Sequence, residues 1–310
     1  MSDKARASAA SALGSLRRVA TSPHLLIALT MLFWASNVVL SRGLRGEIPL
    51  VGLSFWRWTT AALLLLPFSL PHLRRQRDAA RAEWKRLAVL AFLLVVAGNT
   101  VLYVAVEHTT AINVAIVNGA QPVVTVLLAW LVLREAVGRA QAFGIALSLL
   151  GIITIISRGG AAVFVGLGLN PGDLMMVVAV ASWALYTVLL KRWPSRLHPI
   201  LFLQAIVTLG ALQVLPFYLW ESLAQRSMSF DAVTVAMVLY VAVFASLVAV
   251  LFWNIGVAAI GPARAAIYVN LIPVYTTMAA LAFLGEALRA YHVAGFALIF
   301  SGIFMMVRGR

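Results

Sequence analysis

Apolar residues fall along this chain in long blocks separated by short polar and basic segments. The blocks cover approximately residues 24–43, 50–70, 87–106, 110–133, 139–157, 172–191, 198–220, 232–255, 262–284 and 289–307. A helix of about 20 apolar residues crosses a hydrocarbon core of about 30 Å. None of the blocks alternates with the period of two that a porin-like strand requires, so the spans read as helices. The pattern predicts an all-α integral membrane protein with ten transmembrane helices.

The segments between the blocks set the orientation. With the N-terminus in the cytoplasm, 17 Lys and Arg residues lie inside and 5 outside, while Arg57 and Arg264 fall within spans. That bias predicts cytoplasmic termini at both ends and an even number of spans. The net charge of +14 is then a topology signal, and no nucleic-acid partner is expected. A composition of 63% hydrophobic and 11% charged residues is too apolar for a soluble domain. There is no cysteine, which excludes disulfides, thiolate metal sites and cysteine nucleophiles. Residues 1–21 are small, polar and basic without an apolar centre, and read as a cytoplasmic tail rather than a cleaved signal peptide.

The chain repeats itself. Phe33-Trp34-Ala35 recurs as Ser182-Trp183-Ala184, 149 residues on. A shift of 151 places Pro122 on Pro273, Thr125 on Thr276, Glu135 on Glu286, Gly144 on Gly295 and Gly151 on Gly302. Between 115 and 152, 14 of 38 positions are identical to their counterparts without a gap. The expected organisation is a first five-helix repeat over 22–158, a periplasmic linker over 159–171 and a second repeat over 172–310. Five is odd, so the second repeat enters the membrane from the opposite side. Inverted repeats are the common plan of secondary transporters, with substrate bound near the midplane where the halves meet.

The Trp-Ala pairs in spans 1 and 6, Pro49 followed by Arg57, and the duplicated Glu135–Gly144 and Glu286–Gly295 spacing resemble the drug/metabolite transporter (DMT) superfamily, EamA branch. Within that branch the chain is most similar to bacterial aromatic amino acid exporters of the YddG type. The resemblance implies export of metabolites, amino acids or related amphiphiles across the bacterial inner membrane. It also implies a central cavity lined mainly by spans 1, 3, 4, 6, 8 and 9.

The residues themselves mark those spans. Asn118, Gln121 and Thr125 make a polar stripe on span 4, Asn99, Tyr103 and Glu107 on span 3, and Thr30, Trp34, Asn37 and Ser41 on span 1. Span 6 carries Trp183 and Tyr186, span 8 Ser246, Trp253 and Asn254, and span 9 Tyr268, Asn270 and Tyr275. Polar groups facing lipid are costly, so these stripes face a cavity or a neighbouring helix. Pro122 and Pro273 interrupt equivalent points of spans 4 and 9 and free the carbonyls of Asn118 and Val269. The expected placement puts a zwitterionic head on those carbonyls with Asn118, Gln121 and Asn270. Trp34, Tyr103, Trp183, Tyr186 and Trp253 then hold the apolar part. Trp56, Trp58 and Trp220 are assigned to the interfacial belt. Arg57 is read as an anchor snorkelling to the outer surface, with attraction of a substrate carboxylate as the alternative. Glu135 and Glu286 compensate the starts of spans 5 and 10. The paired glycines of those spans predict close helix packing or a dimer contact.

No nucleotide-binding loop is present, and no carboxylate lies near a midplane, so facilitated diffusion and proton exchange both stay open. Five scattered histidines form no catalytic constellation, and no enzyme activity and no cofactor are expected. The alternatives are an exporter of drugs, nucleosides or other amphiphilic metabolites, or a channel. The partners expected are a small-molecule substrate and the lipid bilayer, with the protein as a monomer or homodimer.

Overall fold

The computed structural model describes residues 22–43, 48–108, 118, 121–134, 138–156, 171–224, 226–284 and 290–308. The expected roles of Glu135 and Glu286, and most of the first half of span 4, lie outside these residues. Among the described residues every regular element is helical. The elements are α1 (Pro23–Gly43), α2 (Leu50–Ala91), a π-helix (Phe92–Thr100) running into α3 (Val101–His108), α4 (Gln121–Leu133) and α5 (Arg139–Ile156). After these come α6 (Pro171–Arg192), α7 (Pro199–Ala224), α8 (Ala232–Tyr240), a second π-helix (Val241–Val248) and α9 (Ala249–Ile260). The chain closes with α10 (Pro262–Ile267), a 3₁₀ turn (Tyr268–Asn270), α11 (Leu271–Leu284) and α12 (Ala290–Arg308). By length and composition, Leu50–Ala105, Leu174–Arg192, Pro199–Ala224 and Ala232–Ile260 are each sufficient to cross a membrane. Leu63, Phe68, Leu131, Leu174, Leu212 and Leu223 are more than half exposed, an apolar exterior suited to lipid rather than water.

Packing follows the repeat. α2 lies along α7, and α5 lies along α12. α1 packs on α9 and α11, while α6 packs on α3 and α4. Exchanging each element for its counterpart turns the first set of contacts into the second, as a pseudo-twofold axis between the halves requires. Gly151 and Gly302 make the α5–α12 approach possible. A Cβ on Gly151 would lie 2.7 Å from the carbonyl of Gly295, and one on Gly302 would meet that of Gly144. This small-residue face is thus filled within the chain, which removes it as a dimer contact.

Two features depart from the sequence reading. The polar stretch 71–86 is helical, because Ala, Arg, Glu and Lys are strong helix formers and carry α2 onward past the apolar block. The break is confined to Gln76 (φ −122°, ψ 20°). Its side chain accepts from the backbone N–H of His198 at 2.9 Å. Glu83 accepts from the Ser195 hydroxyl at 2.6 Å, so the bend is latched to the segment leading into α7. Next, spans 3 and 8 each contain a π-helix, starting 149 residues apart at Phe92 and Val241. Their wide turns let side chains bond back five residues: Asn99 to Leu94 O, Thr100 to Val95 O and Ser246 to Val241 O.

The N-terminal end of α2 has no cap from its own chain segment, since Pro49 offers no side-chain acceptor. Glu221, at the end of α7, accepts from Val51 N at 3.1 Å and Gly52 N at 2.6 Å. A carboxylate there satisfies two orphan donors and meets the positive end of the helix dipole. Glu221→Ala would leave both N–H groups buried and unpaired. We expect a loss of about 1–3 kcal/mol, read as lowered thermal stability of the purified protein.

Asp231 caps α8 by accepting from Thr234 N at 2.7 Å. The backbone N–H and then the hydroxyl of Thr234 hold its carboxyl below the usual aspartate value of 3.8, against a smaller opposing effect of burial. A carboxyl whose folded pKa is depressed stabilises the fold above 3.8 and loses that contribution as pH falls through the folded value. Thermal unfolding followed below pH 4 should therefore steepen its decline in the native protein and lack this component in Asp231→Asn.

Candidate functional site

The crossing of α1, α6 and α9 brings together three tryptophans. Trp34 and Trp183, equivalent residues of the two repeats, meet edge to face with ring centroids 4.8 Å apart and planes at 72°. Trp253 lies 5.5 Å from Trp34 and 6.3 Å from Trp183. Tyr186 adds a fourth ring 5.9 Å from Trp183. Edge contacts of this kind match the positive ring rim to the negative face and are worth about 0.5–1.5 kcal/mol each.

Polar atoms tie the rings to both halves. Trp34 Nε1 donates to the carbonyl of Ala245, within the second π-helix, at 3.1 Å. The Tyr186 hydroxyl donates to Asn254 Oδ1 at 2.7 Å, and Asn37 Nδ2 donates to the Tyr103 hydroxyl at 3.4 Å. These two contacts join corresponding pairs of spans, 1 with 3 and 6 with 8, each through an Asn and a Tyr, and Asn37 corresponds to Tyr186 at a shift of 149.

Arg57 joins this cluster. Its side chain is 2% exposed, so it does not snorkel to the surface. Nε donates to Ser246 Oγ at 2.8 Å, Nη1 to the Tyr103 hydroxyl at 2.7 Å and Nη2 to Ala245 O at 3.4 Å. The carbonyl of Ala245 is thereby shared with the indole of Trp34. The guanidinium also lies 4.6 Å from the ring centre of Trp58. Trp58 is wholly buried, which removes it from the interfacial belt, whereas Trp220 is 60% exposed and suits one. The sequence did hold the signal: Ser54, Arg57, Trp58 and Ala61 follow the spacing of one helix face, and all four are buried.

Seven of the expected site residues thus meet: Trp34, Asn37, Tyr103, Trp183, Tyr186, Trp253 and Asn254. The others are joined to them by no hydrogen bond among the described residues. Asn99 is tied to its own helix through Leu94 O at 2.6 Å. Tyr268 turns instead to His24, with its hydroxyl 2.7 Å from Nδ1. Gln121 and Pro122 are buried at the start of α4, where Thr125 returns its hydroxyl to Gln121 O. Asn118 is partly buried. Asn270 is completely buried, and neither amide atom has a partner. Three residues ahead of Pro273, the chain tightens into the 3₁₀ turn. The carbonyl of Val269, expected to be free, accepts from Leu271 N.

A bundle with apolar exterior helices, two interlocked halves and an aromatic cluster between them is the architecture of a multi-pass membrane protein. The chain belongs to the EamA-like transporter family of the DMT superfamily, which it matches over residues 21–157 and again over 170–308. A transporter of Archaeoglobus fulgidus is 29% identical over 287 residues, 91% of this chain and 96% of its own length. The transporter YyaM of Bacillus subtilis is 25% identical and covers 80% of this chain and 81% of its own. A protein of Salmonella typhimurium described as a probable amino-acid metabolite efflux pump is 25% identical, covering 63% and 67%. One solved crystal structure superposes with a TM-score of 0.74 at 18% identity, covering 92% of this chain and 96% of that one, a likeness of fold.

Proposed function

We propose that this protein is a ten-span secondary transporter of the bacterial inner membrane, with both termini cytoplasmic. It exports small amphiphilic metabolites, amino acids with large apolar side chains among them. The observation that carries this reading is the junction of Trp34 and Trp183. Equivalent residues of the two halves are in direct ring contact with each other. Rocking one half against the other would open this junction to one side of the membrane and then to the other. The indoles and Tyr186 form the wall for an apolar group, and the Asn–Tyr pairs place polar atoms beside it. A relative described as a probable amino-acid metabolite efflux pump supports this substrate class.

The test is counterflow in proteoliposomes containing the purified protein alone, preloaded with unlabelled substrate and given no proton gradient. Saturable accumulation of labelled phenylalanine or tryptophan is expected. Single-channel currents in place of saturable exchange would overturn the carrier mechanism. Saturable exchange of nucleosides or cationic drugs with none of amino acids would overturn the substrate class.

A further inference from the structure

We propose that Arg57 is the receptor for a substrate carboxylate, so that the carrier selects amphiphiles bearing a carboxylate beside a large apolar group. This rests on the transport reading above and narrows its substrate class. Isolated cations are costly to bury, and proteins normally offset them with a carboxylate. Arg77 has such a partner in Asp78, at 3.7 Å on the surface. Arg57 is held instead by the neutral oxygens of Ser246, Tyr103 and Ala245. A guanidinium carries five N–H donors. Three are accepted, and two have no acceptor among the described residues.

The surroundings share this excess of donors. Trp253 Nε1 and Trp58 Nε1 are buried without a partner. Tyr103 receives bonds from both Arg57 and Asn37, which leaves its own hydrogen to be donated. An indole and a guanidinium can only donate, so what completes the site is an acceptor. A carboxylate supplies two acceptor oxygens and the missing charge, in the geometry that a guanidinium fork receives.

The repeat provides an internal control. α2 and α7 begin at Leu50 and Pro199, so Arg57 corresponds to Ile206, which is wholly buried. The second half builds the same helix pairing with an aliphatic residue at this point. The fold's plan therefore has no need of a cation here, and the charge belongs to one half alone.

The experiment compares phenylalanine, 3-phenylpropanoate and phenylalaninamide as competitors of counterflow. It also compares them as ligands of nanodisc-embedded protein, read by quenching of tryptophan fluorescence. The native protein should favour the two carboxylates over the amide by about 10- to 100-fold. Arg57→Gln should abolish that preference while retaining the amide, and Arg57→Lys should restore part of it. Equal binding of acid and amide by the native protein overturns the proposal without need of any variant. An unchanged preference in a folded Arg57→Gln also overturns it. Arg57-dependent binding of the carboxylates without counterflow would sustain the proposal and overturn the transport reading, whereas counterflow indifferent to the carboxylate would do the reverse.

Discussion

Trp183→Ala should reduce transport at least about tenfold and lower stability by about 2–4 kcal/mol. Trp183 touches Trp34, Trp253 and Tyr186, more ring partners than any other member of the cluster. Its removal deletes three edge contacts and leaves a void where the two halves meet. Trp183→Phe keeps an apolar ring and should recover most of the stability. Counterflow and thermal unfolding of the same preparations separate the two effects. If Trp183→Ala loses stability but transports normally, the indole is a packing element and the aromatic site is misplaced.

Gly98→Ala should produce a comparable loss from the opposite direction. In the first π-helix, a Cβ at Gly98 would lie 2.7 Å from Cδ1 and 3.0 Å from Nε1 of Trp183, and 2.6 Å from the carbonyl of Leu93. The indole must move, and overfilling of this kind costs about 1–3 kcal/mol. The effect on transport should be larger than one added methyl suggests, because the displaced ring is the one that joins the halves. A double-mutant cycle identifies the cause. Gly98→Ala combined with Trp183→Ala should be less damaging than the sum of the two, since the indole that the methyl strikes is gone. Strict additivity would show that the glycine matters only to the backbone of the π-helix.

Both variants concern contacts between residues far apart in the chain, and that is where legibility in the sequence ended. Trp34 and Trp183 were legible as a pair because the repeat aligned them. Asn37 with Tyr103 was legible only as two stripes. That Tyr186 meets Asn254 across the corresponding pair of spans required the packed helices. Arg57 was misread for an energetic reason. A lone cation in an apolar block is cheapest at the interface, and the oxygens that make its burial tolerable lie on spans 3 and 8. The π-helices escaped as well, since their sequences are as apolar as any α-helical span.

What the membrane demands locally is written in the order of residues: the apolar blocks, the helical state of the backbone within them, and the duplication that relates the two halves. These follow from segment length, periodicity and identity, all carried by neighbouring residues or by simple register. Which faces the helices share emerged from the packing of the bundle. It closed the glycine faces of α5 and α12 on each other, capped α2 with Glu221, and set Arg57 among neutral oxygens beside the ring of Trp58. The physical reason is that a polar group in an apolar helix has several acceptable partners at similar cost, and the choice among them is made by side-chain contacts across the bundle rather than along the chain.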